Sequence, residues 1–258
     1  MKFHLIKTNI PIVHKICLAG LIMALVVVLQ KVIAINYIPV IPFVRLSLGG
    51  PALIIFASVL LGPIYGMLIG IGSDLLGYLI FDPRTYPPFL QITAIYAVLG
   101  FVSYFVFSLI FSIENRKALT IIEIAFMSVI WLIVCGFIVF NNQLSLFGTT
   151  YELTVLTKVL VSVISLHIFA SIAVFSTVLK PRNNNVYISP LHICFASFIC
   201  DFFVLVLFGS IMKAWAFGFA TFLAIIICQA LVMSFNVLLD TLLITAIQQY
   251  TKKYFVSR

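Results

Sequence analysis

Residues 45–99 read RLSLGGPALIIFASVLLGPIYGMLIGIGSDLLGYLIFDPRTYPPFLQITAIYAVL, and this stretch decides the fold. Two apolar runs meet at Gly62-Pro63, and because proline is tolerated at the first position of a helix, the pattern predicts a tight helical hairpin. A loop rich in Pro, Tyr and Arg follows at residues 82–89, before a third apolar run begins. The second run also holds a carboxylate, Asp74, which is costly inside an apolar helix. We therefore expect this stretch to form the centre of a helical membrane bundle.

The composition of the whole chain indicates a membrane protein. Hydrophobic residues make up 64% of the sequence and charged residues 9%, whereas soluble domains carry about 25% charged residues. The mean hydropathy is +1.26. Apolar runs of about 20 residues, long enough to cross a bilayer core of ~30 Å, recur along the chain. The sequence predicts an all-α polytopic membrane protein that forms a single membrane domain over residues 1–258.

The spacing of the apolar runs predicts about eight transmembrane helices. The first run continues past the length of a signal-peptide core and lacks a small-residue cleavage site, so we interpret it as a retained helix. The predicted helices span residues 14–36, 47–62, 63–82, 90–112, 118–140, 153–179, 188–209 and 215–248.

The basic residues favour one orientation of these helices. The formal net charge is +8, but the cations stand singly or in pairs between apolar runs, so we expect no nucleic-acid partner. With the N-terminus inside, ten of the 15 Lys and Arg residues fall on the inner side and five on the outer side. The positive-inside rule then predicts a multi-pass protein of the cell membrane with both termini in the cytoplasm. The outer loops in this prediction are residues 37–46, 83–89, 141–152 and 210–214.

The helix predicted at 63–82 carries a stripe of small residues beside its carboxylate. Steps of three or four residues place the members of the stripe on one helix face, where a neighbouring helix can approach closely. These members are Gly62, Gly66, Gly70, Ser73 and Gly77. Asp74 adjoins the stripe, and it is either a hydrogen-bonded packing residue or part of the wall of a solute site.

Cationic and aromatic residues lie on both sides of Asp74 in the sequence. Arg45 and Arg84 can make forked contacts to a carboxylate, and Tyr78 and Tyr86 can stack on a flat ring. The same residues also suit snorkelling cations and the aromatic belt at a membrane surface. We interpret Arg45, Asp74, Tyr78, Arg84 and Tyr86 as a candidate substrate-binding set.

The last two predicted helices add further polar residues. Asp201 lies deep in the first of them, where it could face the same cavity as Asp74. Asn236, another candidate for substrate binding, shares a helix face with Gln229 and Asp240. Buried amides either line a site or bridge helices, and both interpretations stay open.

A pair of small residues marks the first helix. Gly20 and Ala24 are four residues apart, so they lie on one face and let another helix come close. This face serves either packing within the bundle or docking of another membrane subunit.

Motifs of catalysis are missing from the sequence. It contains no G-x-x-x-x-G-K-[ST] loop, no H-E-x-x-H and no G-x-S-x-G, and the five cysteines lack metal-ligand spacing. We therefore expect no enzyme, no cofactor and no metal site, and favour a protein that binds a solute and receives energy from elsewhere. A membrane-embedded enzyme of lipid or isoprenoid metabolism and a non-transporting scaffold are the alternatives.

Several segments of the sequence resemble one family. They are Arg45-Leu-Ser-Leu-Gly-Gly-Pro51, Leu61-Gly-Pro-Ile-Tyr-Gly66, Gly72-Ser-Asp-Leu-Leu-Gly77, Phe81-Asp-Pro-Arg-Thr-Tyr-Pro-Pro-Phe89 and the run from Gln229 through Asn236. Through them the chain resembles the substrate-binding (S) component of energy-coupling factor (ECF) vitamin transporters, most closely the folate group.

The resemblance implies a bundle of six core helices with a vitamin pocket open to the outside. It implies that residues 14–113 are the first four core helices, 188–248 the last two, and 118–179 a possible inserted pair. It also implies that Gly20 and Ala24 dock onto a transmembrane coupling protein, which works with two ATPases. The expected substrate is a folate-like vitamin, with another vitamin or metabolite as the alternative.

Overall fold

The computed structural model describes residues 10–33, 49–81, 90–113, 115–146, 149–178, 190–219 and 222–251. Two of its helical rods contain a π-helical segment, named π1 and π2 here. In chain order the elements are α1 (Ile12–Val27), π1 (Val28–Val32), α2 (Gly50–Leu61), α3 (Pro63–Phe81), α4 (Leu90–Ile110), α5 (Arg116–Phe140), β1 (Gln143–Leu146), β2 (Thr149–Glu152), α6 (Val155–Val178), α7 (Pro190–Cys200), π2 (Asp201–Phe208), α8 (Gly209–Phe217) and α9 (Phe222–Thr251).

The architecture confirms the prediction of an all-α polytopic membrane protein. In the described part of the chain, α1 runs on into π1 and α7 runs on through π2 into α8, so the helices make eight rods, as predicted. Six helices among the described residues are long and apolar enough to cross a membrane. They are Ile12–Val32, Pro63–Phe81, Leu90–Ile110, Lys117–Phe140, Pro190–Ala216 and Phe222–Ile247.

The turn between the last two rods lies further along the chain than predicted. We expected an outer loop at residues 210–214, but these residues are helical and belong to α8. The turn falls instead at Gly218, whose φ of +108° suits glycine and ends the helix. Ser210, the first residue of the expected loop, is fully buried inside the bundle. Part of the predicted loop at 141–152 is also ordered, because β1 and β2 pair as an antiparallel hairpin.

Helix α2 forms the centre of the bundle. All of its residues are buried, and it packs against α1, α3, α4 and α9. It ends at Gly62, where φ is +109°, and α3 starts directly at Pro63. The predicted corner at Gly62-Pro63 is therefore confirmed.

The small-residue stripe of α3 is the surface on which the neighbouring helices pack. A Cβ atom added at Gly70 would meet the backbone carbonyl of Tyr96 on α4, and one added at Gly66 would meet Ser58 on α2. Gly100 of α4 approaches the backbone of Gly66 in the same way. Only residues without a side chain allow two helix backbones to come this close.

Helices α5 and α6 lie along the side of the bundle formed by α7 and α9. The two are joined by a 3.1 Å hydrogen bond, which the Trp131 Nε1–H donates to Ser165 Oγ. Apolar residues of α5 such as Val134 pack with Phe198 of α7 and Val237 of α9 in one buried cluster. A second buried cluster contains apolar residues of α2, α3, α4 and α7. The division into core helices and an inserted pair at 118–179 stays a prediction.

Candidate functional site

Asp74 is held by a partner on the next helix. The hydroxyl of Thr93, in the first turn of α4, donates a 2.6 Å hydrogen bond to Asp74 Oδ2 on α3. Thr93 is 7% exposed, while Asp74 is only partly buried. The hydrogen bond offsets part of the cost of a carboxylate in the bundle, and the partial exposure leaves the carboxylate accessible. Both interpretations of Asp74, as a packing residue and as the wall of a site, are thus compatible with its geometry.

A cation and an amide stand at the same end of the bundle, on π1. A Cβ added at Gly77 would lie 2.9 Å from Lys31 Cε, so the missing side chain makes room for the lysine stem one turn from Asp74. In the same way, the Gln30 side chain covers Gly50 at the start of α2. The π-helical turn places these two side chains against the starts and ends of neighbouring helices, and such turns are frequent at functional sites.

The predicted substrate-binding residues are distributed unevenly over the structure. Tyr78 is half-buried on α3, one turn beyond Asp74, and Asn236 is 5% exposed on α9. Arg45, Arg84 and Tyr86 lie outside the described residues.

A second polar group lies deeper in the bundle, between π2 and α9. Asp201 and Asp240 are each 0% exposed and interact electrostatically with each other. Asn236 is one turn from Asp240 on α9. The structure therefore places Asp201 within electrostatic range of Asp240, whereas Asp74 is hydrogen-bonded to Thr93.

Two polar residues of the bundle, Glu123 and Thr93, were not identified as candidates from the sequence. Glu123 of α5 is 1% exposed and lies beside the Cys194 thiol of α7. An ionisable residue inside a transmembrane helix is itself a signal of function, so Glu123 was open to prediction. Thr93 gave no such signal, because a threonine in a membrane helix is common and its partner is on another helix.

The face of α1 that carries Gly20 and Ala24 is exposed. A Cβ added at Gly20 would find no atom within 4 Å, and Ala24 is also exposed. Leu21 and Leu25, next to them, are 59% and 46% exposed. These small residues therefore do not pack against another helix among the described residues, unlike the stripe on α3.

Comparison with known proteins identifies the family. Residues 11–180 match the model of the family described as ECF-type riboflavin transporter, S component. The chain belongs to this family. The matched range includes residues 118–179 and ends before α7. Searches of curated proteins and of solved structures gave no match.

Family membership fixes the general role of the chain. As an ECF S component it is a multi-pass protein of the plasma membrane and a transporter subunit, not an enzyme. It binds a small-molecule substrate and works with ECF transmembrane and ATPase modules. The resemblance to S components inferred from the sequence is confirmed at this level.

Proposed function

We propose that this S component captures a flat-ringed, water-soluble vitamin at the end of the bundle where α3 ends and α4 begins. The observation that carries the proposal is the partly exposed Asp74 carboxylate, held by Thr93 beside Tyr78. A fixed acceptor next to an aromatic ring suits a ligand that combines a flat ring with hydrogen-bond donors. In this proposal, a transmembrane coupling protein and two ATPases then drive uptake.

Riboflavin is the first candidate substrate. The matching family model is named for riboflavin transport. Riboflavin joins a neutral ring system to a hydroxylated chain, and hydroxyl groups can donate to a carboxylate such as that of Asp74.

A folate-like vitamin is the second candidate, because the cation of Lys31 stands close to the same place. The Lys31 stem lies over Gly77, and Arg45 and Arg84 precede α2 and follow α3 in the chain. Cationic side chains suit the carboxylates of a folate-like tail. In both cases, Tyr78 and Tyr86 supply rings for stacking, and Asn236 supplies an amide.

Binding to the purified chain in detergent tests this assignment. Riboflavin is fluorescent, so quenching of its emission reports binding directly, and folate serves as the competing ligand. We expect Asp74→Asn and Thr93→Val to weaken riboflavin binding about tenfold or more, which corresponds to about 1.4 kcal/mol. Ser108→Ala, on the same helix as Thr93, is the matched control. Unchanged affinity in Asp74→Asn and in Arg45→Ala would show that the binding site lies elsewhere.

The exposed Gly20–Ala24 face of α1 is proposed as the surface that docks onto the coupling protein. Two small residues one turn apart, with open space around Gly20, allow a partner helix to approach the α1 backbone. The exposed leucines beside them supply apolar area.

We also propose that both termini lie in the cytoplasm. The support is the excess of basic residues on the side of the termini, together with an even number of rods in the described part of the chain. Membrane-impermeant labelling of single cysteines introduced at Asn142 and Asn184, in a chain without its own cysteines, tests this orientation. Labelling of intact cells at Asn142 alone is expected, and labelling at Asn184 alone contradicts the proposal.

A further inference from the structure

Two carboxylates lie within electrostatic range of each other in the closed interior of the bundle. Asp201 is the first residue of π2, and Asp240 is on α9, which packs against π2. Both are 0% exposed. None of their four carboxylate oxygens has a hydrogen-bond partner among the described residues.

The side chains of Asp201 and Asp240 are closed to water. A side chain without accessible area does not border a space large enough for a water molecule, so a bridging water has no room at this point. Among the described residues, the charged group that acts on Asp201 is Asp240, another carboxylate. Two adjacent carboxylates in a low-dielectric interior cannot both stay ionised, because each lacks water and repels the other.

We infer that Asp201 and Asp240 form a buried proton-binding site in which the pair holds at least one proton at neutral pH. Protonation of one carboxyl group removes the repulsion between the two and lowers the cost of burying them, without a cation or a water. The protons of such a pair belong to the two carboxyl groups together, because the charge of each acts on the other.

The amide of Asn236 is a second observation that points to a proton at this place. Asn236 is 5% exposed, lies one turn from Asp240 on the same helix, and its Oδ1 has no partner among the described residues. Oδ1 can only accept a hydrogen bond, as an ionised carboxylate can. A proton on a carboxyl group in this part of the bundle supplies a donor for such an acceptor. The π-helical geometry that begins at Asp201 is also frequent at functional sites.

The titratable groups that the structure describes around the pair do not supply a counter-charge. On α7 they are the thiols of Cys194 and Cys200, which both lie within electrostatic range of Asp240. On α5, Glu123 adjoins Cys194. Glu123 adds another acid, so it increases the need for protons in this part of the bundle.

Infrared spectroscopy of the intact chain in detergent tests the inference at neutral pH. A protonated carboxyl group has a C=O stretch that is separate from the bands of carboxylates and shifts in D₂O. We expect this band in the wild-type protein, and we expect it to weaken in Asp201→Asn and Asp240→Asn. Glu152→Gln is the matched control, because Glu152 is exposed on β2, and it should leave the band unchanged. No such band at neutral pH in the wild type would overturn the inference.

Isotope labelling keeps the test valid if the variants do not fold. Carboxyl-¹³C aspartate incorporated into the wild-type chain should shift the band, whereas labelled glutamate should leave most of it in place. The band should persist in Asp74→Asn, which removes the other aspartate of the described bundle. A band that moves only with labelled glutamate, or that disappears in Asp74→Asn, would contradict a proton at Asp201 and Asp240. This outcome is independent of vitamin binding.

Discussion

The Thr93 hydroxyl donates a 2.6 Å hydrogen bond to Asp74 Oδ2, and this bond ties the start of α4 to α3. It lies one turn from a close approach of the two helices, where Gly70 meets the backbone of Tyr96. The glycine contact sets the distance between the helices, and the hydrogen bond fixes the direction of the carboxylate. A side chain held on a rigid pair of helices is a suitable anchor for a ligand.

The first prediction concerns this hydrogen bond. Thr93→Val removes the donor and keeps the shape, so we expect a loss of about 1.5–3 kcal/mol in the free energy of unfolding, as for other hydrogen bonds to charged groups. Thermal unfolding in detergent measures the effect.

Ser108→Ala is the control for this prediction, because Ser108 is a buried hydroxyl on α4 without a partner among the described residues. Its removal should be neutral or slightly stabilising. Equal effects of the two variants would show that the Thr93 hydrogen bond does not contribute.

The second prediction concerns the glycine contact between α3 and α4. In Gly70→Ala the new methyl group would meet the Tyr96 carbonyl, which is backbone and cannot rotate away. The helices would have to separate, and we expect a cost of about 1–3 kcal/mol, as for other overpacked positions. Thermal unfolding measures it.

Gly136→Ala on α5 is the matched control for Gly70→Ala. A Cβ at Gly136 would find no atom within 4 Å. Alanine is the better helix former, so this variant should be unchanged or more stable by up to about 1 kcal/mol. If Gly70→Ala is as stable as Gly136→Ala, the close approach of α3 and α4 is wrong.

The third prediction concerns the corner at Gly62. Its backbone has φ +109° and ψ 166°, a region that residues other than glycine avoid. Gly62→Ala should destabilise by on the order of 1–3 kcal/mol, although a Cβ there has open space. Because only the backbone is strained, Gly62→Asn should cost about as much, and a large difference between the two would point to side-chain contacts instead.

The fourth prediction concerns docking of the coupling protein. Leucine at both Gly20 and Ala24 should block the approach of a partner helix, so the tagged chain should no longer co-purify the coupling protein and the ATPases. Vitamin binding by the isolated chain should be retained, because this face of α1 is exposed. Gly136→Leu controls for added bulk on another helix. Retention of the full complex in the double variant would exclude this docking face.

Local signals in the sequence predicted much of the helical framework. The corner at Gly62-Pro63 was predictable because both its residues have strong backbone preferences. The break at Gly218 was not, because a loop was expected at residues 210–214, which instead continue the helix inside the bundle.

Single residues of the candidate sites could be identified from the sequence, but the partner that each residue meets could not. Asp74 was identified by its cost in a membrane helix, but its partner Thr93 is 19 residues away and on another helix. Asp201 and Asp240 were both noticed, yet their pairing depends on how π2 packs on α9. Sequence periodicity gives the face of one helix and not the neighbour that meets it.

Identification of the small molecule that the purified chain carries is the most direct measurement of its function. The chain would be purified from cells in detergent, denatured, and the released compounds analysed by mass spectrometry, with the empty protein then titrated with riboflavin and folate. We expect one equivalent of a flavin, or saturable riboflavin binding that folate does not displace. Saturable folate binding would keep the role and change the substrate. A bound lipid intermediate, with no binding of either vitamin, would contradict the proposed capture of a vitamin.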